Sequence, residues 1–395
     1  MSRPSSRRAG PVAVVAIAAL VVAACSGPIL AVPPIERPGP PVPSAQPARQ
    51  PDPIPITLPA DDGPHERLTE WWYYTGHLAD ASGGRYGFEY VVFRAERGAF
   101  PVSWASHLAV TDESGGRFLY AQRSQVGPGV DVSSADAASS SDFAFSLAGD
   151  QPKGLAPDHP TWEMTRADGI DRLAATLSEA EALTAGSTGS MALDLRVETD
   201  RPPVLHDRDG WIDFGGAGGS YYYSRTRMAA AGTLTLDGKP REVDGTAWFD
   251  HQWGDFIAVG GGGWDWYAVG LEDGTDLTIS QVRDATGEYP LVYGTIVDPN
   301  GSINHLPAES LIVTVTDRWT SPRTGAEYPA GWTIAVPNRD LVVRLRPTVA
   351  DQELDTRLTT GVVYWEGSQH VRATRAGRSI GGEAYVELTG YANGR

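Results

Sequence analysis

The chain has 395 residues, enough for roughly two or three domains that each bury a core. Forty-nine acidic residues against 32 basic ones leave a formal charge of −17, which excludes a nucleic-acid partner and broad adhesion to an anionic lipid surface. A single cysteine rules out an intrachain disulfide, so the fold stands on its core alone.

At the N-terminus "MSRPSSRRAG" sets three arginines ahead of the uncharged apolar run "PVAVVAIAALVVAAC". Basic residues, a short apolar stretch and small residues before a cut predict a signal peptide over 1–24, too short in its apolar part to span a bilayer comfortably. Val22-Ala23-Ala24-Cys25 resembles a bacterial lipobox, which predicts lipidation of Cys25 and an exported protein anchored in the cell envelope, periplasmic or at the cell surface. A plain secretory cut that leaves a free thiol is the alternative. Residues 25–59 read as an extended linker, with twelve prolines from 26 to 59. All twelve tryptophans follow it, so the folded part is expected from Ala60.

Beyond Ala60, turn signals such as "DASGG", "TDESGG", "LDGK", "LEDG" and "DPNG" separate short alternating runs such as "RYGFEYVVF", "HLAVT", "GTLTL" and "LVVRLR". β-Branched and aromatic residues at period two between such turns predict antiparallel strands, hence an all-β fold of barrels or sandwiches. "LSEAEALTA" (177–185) is the best helix candidate. Trp72-Tyr73-x-x-Gly76-x-Leu78-x-Asp80 is echoed by Trp266-Tyr267-x-x-Gly270-Leu271-x-Asp273, with one residue dropped after the glycine. The stretch from Val243 to Trp248 is echoed by that from Ile380 to Tyr385. The two echoes predict two barrel-like copies, residues 60–255 and 256–395, with the first copy's extra residues between Ser124 and Arg201.

Several chemistries lack support. There is no G-x-S-x-G, H-E-x-x-H or C-x-x-C, no His-x-His spacing for a metal, and the glycines at 260–263 open no helix pattern that would cradle phosphate. No cofactor and no metal are expected. What remains is aromatic and carboxylate–histidine chemistry, densest in "GTAWFDHQWG" (245–254). In an extended strand Trp248 and Asp250 face one side, Phe249, His251 and Trp253 the other, so Asp250 and His251 meet only across a bulge. A carboxylate-held histidine in an aromatic pocket serves as a general acid; a buried His and Asp that close a barrel end through hydrogen bonds are the structural alternative. In "EWWYYTGHL" Glu70, Trp72 and Tyr74 share a face, either in a strand between two packed layers or with Glu70 and Tyr74 lining a cavity. In "YYYSR" Tyr221, Tyr223 and Arg225 share a face, where the arginine stacks on a ring, binds a carboxylate or decorates the surface. His107 in "SHLAVTD" points inward by the same alternation.

In order, "EWWYYTGHL", "RYGFEYVVFR", "SHLAVTD", "PPVLH", "YYYSR", "GTAWFDHQWG", "GWDWY", "RWTSPRTGAEYP", "DQELD", "YWEG" and "EAYVELTGY" cover nearly everything from Glu70 to Tyr391. On these stretches the chain resembles the two-domain lipocalin-like family that includes AttH and the carotenoid 1,2-hydratases, in particular its exported branch labelled "predicted secreted hydrolase". The resemblance implies two lipocalin-like antiparallel β-barrels. It also implies acid catalysis from a pocket holding the His-x-Trp pair, which falls on His251 and Trp253; beside it, the neighbouring Asp250 is expected as the acid–base partner of His251. The hydratases use a Tyr and an Asp shortly downstream; here the comparable strand "DLTISQVR" supplies neither, and Tyr267 and Asp265 are the nearest substitutes. Trp248, Trp264 and Tyr267 are then expected to shape a pocket near the domain seam, with Glu70, Trp72, Tyr74, His107, Tyr223 and Arg225 as further ligand contacts. The expected ligand is a hydrophobic small molecule, an isoprenoid or lipid, acted on by acid-assisted hydration or hydrolysis. The alternative is a non-catalytic carrier or accessory lipoprotein that serves an ABC-type transporter permease.

Overall fold

The computed structural model describes residues 51–133, 142–149, 160–179, 181–182, 189–256 and 261–392. Cys25 and residues 1–24, read in the sequence as a signal peptide, lie outside them. Among the described residues the chain builds two antiparallel sheets, of twelve strands from Thr69 to Gly254 and eleven from Gly261 to Thr389. Within each sheet the first strand of the chain order pairs with the last: Thr69–Asp80 with Lys239–Gly254, and Gly261–Leu271 with Gly382–Thr389. The result is two barrel-like units of the lipocalin kind.

In the first unit a four-strand meander runs from Thr69 to Val126 on one side of that pairing. On the other, Lys239–Gly254 pairs with Gly219–Leu236, followed outward by Met191–Glu198, Ile170–Leu177, Trp162–Ala167 and Phe143–Leu147. The two edges meet through side chains. Gln125 Oε1 accepts from Ala148 N at 3.0 Å, and Arg123 donates to Leu147 O at 3.2 Å while lying over the Trp162 ring at 4.7 Å. Of the expected helix, Ser178 to Ala182 closes one helical bond (Ala182 N to Ser178 O, 2.8 Å), with Glu181 bonded back to the Ser178 amide; residues 183–185 lie outside the described residues.

The first strand is buried on both faces because it lies between two layers. Trp72, Tyr74 and Leu78 fill the first barrel, while Tyr73 and Trp71 meet the second sheet. Gly76 fits close against the neighbouring strands of its own sheet: a Cβ there would sit 2.3 Å from Thr246 O and 2.5 Å from the Phe88 ring. The second barrel has its own core, with Tyr267, Trp332 and Trp365 at its centre. Between the sheets lies a third apolar cluster of Tyr73, Val91, Trp248, Trp266, Ala268 and Tyr385.

Residues 51–59, read in the sequence as the end of the linker, lie against the first barrel: Ile56 and Leu58 pack on its core and Ile54 N donates to the Tyr221 hydroxyl at 2.7 Å. They begin a strap, residues 51–67, that crosses the barrel mouth.

Candidate functional site

Two polar clusters stand out, and they lie on opposite faces of the same strands. Along Lys239–Gly254 the faces alternate as the sequence predicts, so Phe249, His251 and Trp253 enter the first barrel. Asp250 and Trp248 face the second sheet, and no bulge brings Asp250 to His251. The expected Asp250–His251 pair therefore does not form, because period-two alternation holds through this part of the strand.

Inside the first barrel, His251 Nε2 donates to Glu70 Oε1 at 3.0 Å, and Glu70 also binds His65 Nδ1 at 2.7 Å and the His65 amide at 2.9 Å. Trp72 stacks on the His251 ring at 4.7 Å, Trp253 lies 4.6 Å from it, and Trp253 stacks flat on His65 at 4.2 Å. Burial disfavours charge on His65, but Glu70 and Asp61 outweigh it and hold the imidazole up at about 8. Glu70 is pushed up by burial and brought below its ordinary value by the two histidines. His251, wholly buried, is pushed down. A cationic His65, an anionic Glu70 and a neutral His251 thus satisfy one another. Beside them Asp62, also buried, takes two bonds from Arg225 (2.7 and 2.9 Å) and one from the Tyr223 hydroxyl. Among the described residues His65, Glu70 and His251 are the group whose ligand atoms lie close enough for a metal, all within 4.8 Å. Their mutual hydrogen bonds already occupy those atoms. Tyr74 belongs to the same core. The expected ligand residues Glu70, Trp72, Tyr74, Tyr223, Arg225 and Trp253 are therefore packed around His251 in a filled core, where aromatic rings and the strap occupy the space a ligand would need.

The second cluster lines a cavity of about 80 Å³ between the sheets. Its walls are aromatic: Trp71, Tyr73, Phe93, Tyr222, Trp264 and Trp266. Trp71 and Trp264 stack at 6.4 Å near the mouth, and Trp266 meets Tyr73 edge-on at 5.5 Å. Four carboxyl groups face this space, Glu89, Asp250, Glu366 and Glu387, and no basic side chain lines it. Asp250 Oδ1 accepts from Trp248 Nε1 at 2.7 Å and from Ser224; Oδ2 accepts from the Tyr222 hydroxyl at 2.5 Å. Tyr222 is itself held by Trp266 Nε1 at 2.9 Å. Glu89 accepts from Tyr364 at 2.9 Å, Glu366 from the Tyr73 hydroxyl, and Glu387 Oε2 from Trp264 Nε1 at 2.9 Å. Burial raises all four carboxyls: Asp250 to about 6, Glu387 to about 7, Glu89 to about 8 and Glu366 well above its ordinary range. For Glu89 and Glu366 the nearby negative charges add to the effect of burial. The site thus holds protons at neutral pH beside aromatic faces that tolerate positive charge.

Of the residues expected to shape a pocket, Asp250 and Trp264 line this cavity and Trp248 holds Asp250 in it. His107 stands one bond away, its Nδ1 2.7 Å from the Tyr364 hydroxyl and its Nε2 3.0 Å from Thr359. Tyr267 is not there: it fills the second barrel's core against Trp332. Asp265 is bound by Arg283 at 2.9 Å and by Tyr289 and Tyr391 at 3.0 Å, away from His251. Glu89, Glu366 and Glu387 were missed, as were Trp71, Tyr73, Tyr222 and Trp266. Each missed acid shares a strand face with an aromatic (Glu89 with Phe93, Glu366 with Tyr364, Glu387 with Tyr385), and a carboxylate on such a face is the signal that could have found them.

The profile of the AttH-like family matches residues 48–391. In fold the chain is similar to a candidate AttH from Nitrosomonas europaea, with 26% identity, TM-score 0.69, and coverage of 86% of this chain and 98% of the other. It is also similar to kievitone hydratase from Nectria haematococca, with 15% identity, TM-score 0.62, and coverage of 85% and 93%. No curated protein matches the chain by sequence.

Proposed function

We propose, for a chain that belongs to the AttH-like family, that the cavity between the sheets binds a hydrophobic unsaturated molecule and adds water to it by acid catalysis. The observation that carries this reading is the set of four carboxyls raised by burial in an aromatic pocket that no basic side chain among the described residues lines. Glu387 is the acid: raised to about 7 by burial and lining the cavity, it stands near the pH at which a general acid works best. It gives its proton to one carbon of a C=C bond. The cation left on the neighbouring carbon is stabilised by the faces of Trp264 and Trp266 and by the ionised Asp250, whose lone pairs are fixed by Trp248, Ser224 and Tyr222. Water attacks that carbon and its surplus proton returns to Glu387, so the net change is one water added and the acid restored. The fold shared with a hydratase supports the reading. At about 80 Å³ the closed cavity takes one end of an isoprenoid or lipid rather than the whole, in keeping with ligand sites of roughly 300–1,000 Å³ for complete small molecules. Lipidation at Cys25 would hold the enzyme on the envelope membrane, where such substrates partition.

The test is native mass spectrometry of the full chain from its own envelope, with extraction of the bound molecule, followed by turnover of that molecule in ¹⁸O-water. Incorporation of ¹⁸O is expected. Glu387→Gln should lower the rate on the order of 10²–10⁴-fold, the contribution of a positioned acid. Wild-type turnover should fall as pH rises past about 7. An apolar molecule held one to one and never transformed would replace this reading with that of a carrier serving an ABC-type permease.

A further inference from the structure

The chain is strongly acidic, yet one cleft on the second sheet concentrates positive charge. Five arginines line it, Arg85, Arg227, Arg344, Arg346 and Arg372, against three glutamates, Glu113, Glu272 and Glu383. Arg85 is engaged by Glu113 (3.4 Å) and Glu383 (2.9 Å), and Arg227 by Asp276 (2.7 Å). Arg344, Arg346 and Arg372 have no ion pair or hydrogen bond among the described residues, whereas nearly every other described arginine has one. Their placement is also unfavourable as it stands. Leu341–Pro347 pairs with Val363–Arg375 in a register that sets Arg344 directly opposite Arg372 and Arg346 opposite His370. All four side chains are exposed on the outer face, because Val343, Leu345 and Ala373 take the inner one. Like charges directly opposite one another in a sheet destabilise it.

The space measures about 910 Å³, room for a small molecule with several charged groups.

We propose that this cleft binds a polyvalent oxyanion, a molecule carrying two or more phosphate-type groups, clamped by Arg344, Arg346 and Arg372. The planar guanidinium forks suit bidentate contact with such groups, and the bound charge relieves the repulsion between Arg344 and Arg372. A soluble oligophosphate and an anionic lipid headgroup share this chemistry.

The test uses the full chain at constant ionic strength with inorganic tripolyphosphate as probe, and in parallel with phosphatidylglycerol vesicles. Tripolyphosphate should raise the melting temperature more than monophosphate does. The variant Arg344→Gln/Arg372→Gln should melt higher than wild type without anion, and its affinity for the probe should fall at least tenfold. Arg172→Gln, which removes an exposed arginine paired with Asp194 elsewhere, should leave the response unchanged. Binding to vesicles but not to tripolyphosphate, lost in the double variant, would identify the anion as a lipid headgroup. No response to either probe, or an equal response from the double variant, would overturn the proposal.

Discussion

Asp250 and His251 are neighbours in the chain whose side chains never meet, and the separation assigns them different work. His251 is wholly buried between Trp72 and Trp253, with its N–H given to Glu70. Removing it leaves a buried carboxylate with one partner fewer and a void between two indoles. His251→Ala should therefore cost on the order of 3 kcal/mol of stability, read from denaturant midpoints at unchanged slope. Any loss of turnover should track the fraction folded. A variant that keeps its full stability but loses all turnover would return His251 to the chemistry. Asp250 should behave in the opposite sense, since its carboxylate faces the cavity beside Tyr222 and Trp266.

At the scale of elements, the strap matters as much as any strand. It delivers Asp62 and His65 into the barrel mouth and is tied down by Arg67, which binds Asp52 at 2.6 Å and Asp255 at 2.8 Å. Asp62 is the buried counter-ion of Arg225. Asp62→Ala leaves that guanidinium uncompensated and should destabilise the protein by roughly 3–5 kcal/mol, while an apolar double replacement, Asp62→Leu/Arg225→Met, should recover most of the loss. Equal melting temperatures for Asp62→Ala and wild type would refute the account. The strap was illegible in sequence because proline-rich composition reads as a tether; only tertiary contacts from Tyr221 and Arg67 give residues 51–59 a place. The strands themselves were legible, since their turns and alternation are local. The internal echo identified the opening strand of each unit but not which side chains it presents. The residue dropped after the glycine changes the parity: Trp72 and Leu78 both face the first core, whereas Leu271 faces the second core and Trp266 faces the cavity. Tyr267 was expected in the pocket as the nearest substitute for the hydratases' downstream Tyr, but alternation turns it into the second core and gives Trp266 to the cavity. The three other cavity acids, Glu89, Glu366 and Glu387, stayed hidden, and together with Asp250 they show why. They lie on four different strands, and only the approach of the two sheets brings them together.

That approach makes the whole molecule sensitive to pH. Two buried histidines bridge the sheets: His107 to Tyr364 and Thr359, and His206 to Thr295. Burial pushes both down to about 3, so folding binds them neutral and their contribution is lost as pH falls below the ordinary value of 6.5. The cavity acids act in the other direction. Their folded values lie above their unfolded ones, so the folded state holds protons that the unfolded state has released, and stability is lost as pH rises toward those values. From about pH 4.5 to 6.5 the two sets oppose each other, the two histidines offsetting part of what the four acids lose. Above 6.5 these two histidines no longer contribute, while Glu89, raised to about 8, and His65, held up at about 8 by Glu70 and Asp61, still do. The melting temperature should therefore fall between pH 6.5 and 8.5, with Glu89 supplying up to about 1.4 kcal/mol per pH unit until it ionises. Calorimetry across that range, on wild type and on Glu89→Gln, checks the argument. The variant should show a shallower fall, because its amide carries no proton to lose. A melting temperature that rises over this range, or the same slope in both proteins, would mean that the cavity acids are already ionised in the folded state and that the pocket between the sheets holds no proton to give.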